Sequence, residues 1–84
     1  MKVLREYAIK KAAVGPQTLY ITKGSEVVAV KYDEYSISLI VLCNAIERDT
    51  DLRTFRVVHS YETLFDDAIK YIGNCGTQHV VEII

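Results

Sequence analysis

From Lys2 onward, hydrophobic and polar residues alternate in short runs, and the runs are broken by Gly, Pro, Asn and Asp. Apolar residues recur at every second position far more than at every third or fourth, which is the period of half-buried strands. Val3, Tyr7 and Ile9 fall on one side of a first strand, with Glu6 and Lys10 on the other. Gly15-Pro16 marks the turn after it. The pattern predicts a second strand over Gln17 to Ile21 and a third over Val27 to Tyr32. Lys23-Gly24-Ser25 joins them, because glycine accepts the positive φ that tight connections use.

Ser36 to Ile46 is apolar on both faces, with Ile37, Leu39, Val41 and Cys43 alternating with Ile40 and Leu42. It predicts a central strand buried on two sides. Glu47 to Leu52 is polar and of hairpin-loop length, so Arg53 to His59 is expected to return as that strand's partner. Arg53, Phe55, Val57 and His59 then share one face, and Thr54, Arg56 and Val58 the other. Ser60 is placed to cap a short helix from Tyr61 to Lys70, with Leu64, Phe65, Ala68 and Ile69 as its buried stripe. Tyr71-Ile72-Gly73 and Gln78 to Ile83 end the chain as two strands about the turn Gly73-Asn74-Cys75-Gly76. The fold class expected is mainly β (small α+β): an antiparallel sheet or barrel-like β domain, with one short helix near residues 61–70, in a single domain over 1–84.

Composition narrows the function classes. Eighty-four residues hold one domain, and a domain this small buries only about 60% of its unfolded surface. A homodimer or higher homo-oligomer is the expected supplement. Ten Lys and Arg against eleven Asp and Glu leave a charge of −1, too little to draw the chain to duplex nucleic acid or an anionic membrane. The apolar run Ile37 to Cys43 falls well short of the roughly 20 residues that span a bilayer, and a soluble, intracellular protein is expected. Cys43 in an apolar strand and Cys75 in a turn read as two free thiols, the first an inert core group and the second exposed.

Candidate chemistry is sparse. His59 and His79 are the only histidines, and neither they nor the cysteines recur at zinc-ligand spacing. Asp49-Thr50-Asp51 opens like a calcium loop but lacks the glycine and closing glutamate of one, and reads as a solvated turn. No metal, cofactor or catalytic set is expected, which favours a binding protein over an enzyme. Six tyrosines and two phenylalanines offer flat faces with polar tips, suited to stacking a nucleobase. Arg53, Arg56, Lys31 and Lys23 could supply the donors a phosphate demands. Arg56 stands out, because a merely solubilising charge at mid-strand would more often be a lysine near an end. His79 and Tyr71 are the further candidate contacts, as donor and stacking face.

Several short segments carry a resemblance. They are the Lys23-Gly24 turn with Val27-Val28-Ala29-Val30, the apolar strand Leu39 to Cys43, Thr54-Phe55-Arg56-Val57, Tyr71-Ile72-Gly73, and His79-Val80-Val81-Glu82. Together they resemble a family of small phage-encoded proteins, the sponge-type inhibitors of CBASS immunity. The resemblance implies a protein of the infected bacterial cytoplasm that binds a cyclic dinucleotide such as 3′,3′-cGAMP without cleaving it and so blocks effector activation. Arg56, which belongs to one of the matched runs, is the expected phosphate contact, and the residue chemistry above adds Arg53, His79, Tyr71 and Lys31 as further candidate ligand-binding residues. The chain departs from the family where a Trp is expected and Ile40 stands, and where Thr-Gly-His is expected and Ser60-Tyr61-Glu62 stands. Contacts through those positions are not carried over. The competing class is a protein-binding module that adds an edge strand or aromatic patch to a host protein.

Overall fold

A computed structural model describes residues 1–12, 14–66 and 68–84. Seven strands follow in order: β1 (Lys2–Ile9), β2 (Gln17–Thr22), β3 (Glu26–Tyr32), β4 (Ile37–Asn44), β5 (Thr50–His59), β6 (Ile69–Cys75) and β7 (Gln78–Ile83). They form two antiparallel sheets, one of three strands in the order β1-β4-β3 and one of four in the order β2-β5-β7-β6. The alternation read from the sequence is what puts one face of each sheet inward. Ile37, Leu39, Val41 and Cys43 of β4 are fully buried in one cluster with Ile21, Phe55, Val57, Cys75 and Val80 from the other sheet. Each large side chain so buried contributes roughly 1.5–3 kcal/mol.

The two sheets approach each other along both margins. On one side Arg5 Nη1 donates to Thr22 Oγ1 at 2.7 Å, and the Tyr7 hydroxyl lies 3.1 Å from the same oxygen. On the other, β3 and β6 approach so closely that a Cβ at Gly73 would stand 3.1 Å from Val30 Cγ2, and the valine would have to give by a few tenths of an ångström to admit one. No ladder joins the sheets among the described residues, so of the expected sheet or barrel-like domain the antiparallel β character holds and the barrel closure does not.

Four further expectations are corrected. The described residues contain no helix: those from Glu62 to Asp66 run irregularly, and Ile69 and Lys70 already belong to β6. The stripe read for a helix is not buried as one, for Phe65 is almost fully exposed and Ile69 pairs with Ile83. Residue 67, inside the predicted helix, and residue 13 lie outside the described set. The expected hairpin of β4 with β5 is also absent, since β4 already has β1 and β3 on its two edges and β5 crosses to the other sheet. Asp49-Thr50-Asp51 is only in part a turn, because β5 begins at Thr50. β4 is central but buried on one side alone, as Ser38, Ile40 and Leu42 on its outer face are only half-covered.

The turns follow their chemistry. Gly76 takes a φ of 75° between the paired Cys75 and Gln78, so Gly76-Thr77 is a two-residue hairpin loop whose first position needs glycine. That loop carries Cys75 inward: its thiol is buried, not exposed as expected, and desolvation pushes its pKa up. Both cysteines are free.

Candidate functional site

Strand register decides which side chains meet on the outer face of the four-stranded sheet. Arg56 of β5 is opposite Val81 of β7, which is opposite Tyr71 of β6. One step along, Val58 is opposite His79. Directly paired residues share a face, so Arg56, Val58, Val81, His79 and Tyr71 stand together. The sequence candidates Arg56, His79 and Tyr71 are therefore neighbours, although up to 23 positions separate them in the chain.

The stretch from Ser60 to Leu64 folds against this face and walls an open cavity of about 450 Å³. Val58, Leu64, Ile69 and Val81 make its apolar lining, while Ser60, Tyr61, Tyr71 and His79 give it polar and aromatic groups. His79 is held at both ring nitrogens. Nε2 lies 2.8 Å from Ser60 Oγ, and Nδ1 lies 2.9 Å from the Tyr71 hydroxyl. Tyr71 and His79 also meet ring to ring, 5.6 Å between centroids and tilted by 52°. A neutral imidazole has one donor and one acceptor nitrogen, so one of the two hydroxyls donates to it and the other accepts from it. Ser60, read as a helix cap, spends its hydroxyl on this contact.

Arg56 is not free. Its Nη2 donates to Glu62 Oε2 at 2.8 Å, and the pair is only about a quarter exposed. Arg53 lies elsewhere, with Nε and Nη2 both 2.6 Å from the two Glu82 oxygens and Nη1 donating to the Ser25 carbonyl. Those bonds to Glu82 hold the guanidinium even more firmly in its charged form. Such a bidentate, half-enclosed pair joins β5 to β7 and leaves little of the fork for a ligand. Lys31 is on the three-stranded sheet, exposed and 3.7 Å from Glu6. The sequence reading thus named three residues that converge and two that do not.

It missed the apolar lining and Glu62. Val58 and Val81 read as ordinary strand residues, and Leu64 was assigned to a helix. Tyr61, on the wall of the cavity between Ser60 and Glu62, takes a φ of 66°. No known protein family, curated protein or solved structure matches the chain.

Proposed function

We propose that the protein binds and sequesters a cyclic dinucleotide, such as 3′,3′-cGAMP, without cleaving it. The observation that carries this reading is the open apolar cavity with the Tyr71–His79–Ser60 chain on its margin. A nucleobase is a flat heterocycle with apolar faces and a polar edge. Val58, Leu64, Ile69 and Val81 suit its face, and the hydroxyls and imidazole suit its edge. The resemblance to the phage sponges supplies the setting: removal of the signal in the infected bacterial cytoplasm, so that the CBASS effector stays silent. A cyclic dinucleotide has two base-and-phosphate halves, and a two-fold homodimer would present the same cavity to each.

The test is calorimetry with a panel of cyclic dinucleotides. Tight binding to one of them is expected, with no change in the nucleotide recovered afterwards. Tyr71→Ala is expected to weaken it by about 1–3 kcal/mol, the cost of leaving a buried polar partner unpaired. A panel that gives no heat and no thermal shift overturns the reading. One observation favours a second: the outer face of the three-stranded sheet exposes Leu4 and Val28 beside half-buried Ile40 and Leu42. With no nucleotide bound, a protein-binding module using that face becomes the better account.

A further inference from the structure

The base-sized cavity has a neighbour. Pairing of β2 with β5 stops where Gln17 meets Phe55, and beyond that point β5 continues without β2 beside it. There a second cavity, of about 300 Å³, lies between Arg56, Val57 and His59 of β5, the residues Lys11, Ala12, Val14 and Gly15, and Gln78. Glu62 and His59 line both cavities.

The anion in this second cavity belongs to the protein itself. Glu62 Oε2 accepts from Arg56 Nη2, and Oε1 accepts from the His59 backbone N–H at 3.2 Å. Two features mark the carboxylate as a replaceable occupant. It satisfies Arg56 incompletely: Nε of the same guanidinium is buried and finds no hydrogen-bond partner among the described residues. Glu62 also sits on an irregular segment directly after Tyr61, whose left-handed backbone makes this turn a strained one. Phosphate carries several oxygens, and two of them can engage neighbouring guanidinium donors as a fork, which a one-oxygen contact does not achieve. Lys11 also lines the cavity, but its Nζ donates to the Asp33 and Glu34 backbone carbonyls, which do not.

We propose that the second cavity is an anion subsite for a ligand phosphate, that Glu62 occupies it in the free protein, and that the ligand displaces the carboxylate. This rests on the small-ligand reading above and adds a phosphate position next to the base position.

Calorimetry on the full chain tests it with three probes: pyrophosphate, adenosine and 3′,3′-cGAMP. Glu62→Gln keeps the shape and removes the competing charge. It is expected to raise affinity for pyrophosphate and 3′,3′-cGAMP about tenfold and to move adenosine, which carries no phosphate, far less, and adding Arg56→Lys is expected to cancel the gain. If folded Glu62→Gln binds pyrophosphate no better than the parent, the subsite is overturned. Where 3′,3′-cGAMP binds parent and Glu62→Gln alike, the dinucleotide reading stands and the subsite falls. Where it binds neither but pyrophosphate gains, the subsite stands and the dinucleotide reading falls. Should Glu62→Gln not fold, the parent's Arg56 Nε–H resonance decides: a shift on adding pyrophosphate supports the subsite, and a fixed resonance overturns it.

Discussion

A bulky residue in the left-handed region costs on the order of 1–2 kcal/mol, and Tyr61, with its ring fully in solvent, recovers none of that by burial. It is the third residue of the turn closed by Glu62 N–H to the His59 carbonyl, the position where a positive φ ordinarily calls for glycine. Tyr61→Gly is expected to raise stability by roughly 0.5–1 kcal/mol, the relief of strain less the added freedom of the unfolded chain. An unchanged or lower urea midpoint would show that the turn is not strained in solution. If the ring also contacts ligand, the same variant is more stable and a weaker binder, a combination that a purely structural residue would not give. Single residues were the least legible level of the sequence. Arg56 could be singled out for its mid-strand position, but nothing local indicated that Glu62 would reach back to it. Arg53 looked equally available until Glu82 proved to be its partner from a strand 29 positions away.

At the scale of elements, alternation located the strands and left their partners open. β4 and β5 are adjacent in sequence and joined by a polar loop, so a hairpin was the economical expectation. It fails because an apolar strand with two neighbours has no edge left to offer. The Tyr61–Lys70 helix fails for a related reason: a ten-residue helix is marginal alone, and β7 has a free edge that Ile69 to Cys75 pairs along, with one register shift between Tyr71 and Gly73. The hairpin between β3 and β4 is held by Asp33, whose Oδ1 accepts from the N–H groups of Tyr35 and Ser36, both at 2.8 Å, and from Ser36 Oγ at 3.1 Å. These bonds, the Tyr35 amide first, lower its pKa from the ordinary 3.8. Because the folded value is the lower one, the contribution is complete above the unfolded pKa and is lost as pH falls through the folded one. Asp33→Ala is therefore expected to melt at a lower temperature than the parent at neutral pH, with the gap closing as pH is taken below 3.8. A gap that is constant with pH would assign the loss to the backbone and not to the carboxylate.

For the whole molecule, a thin stability margin and a two-half ligand point the same way. Sedimentation is expected to show a species of twice 9.5 kDa, and a concentration-independent monomer would remove the symmetric site from the proposal. The order in which the chain visits its sheets has another consequence. β1 enters the three-stranded sheet, β2 the four-stranded one, β3 and β4 return to the first, and β5 to β7 complete the second. Lys2 must find Asn44, and Gln17 must find Phe55, before either sheet closes its row. Pairings between such distant positions come late and slowly, so refolding belongs in the millisecond-to-second range of β proteins with high contact order. Residues 1–44 contain every strand of the three-stranded sheet, yet Leu39, Val41 and Cys43 would lack Phe55, Val57 and Val80 to close over them. The seven strands are thus expected to fold as one kinetic unit, neither sheet closing its core without the other.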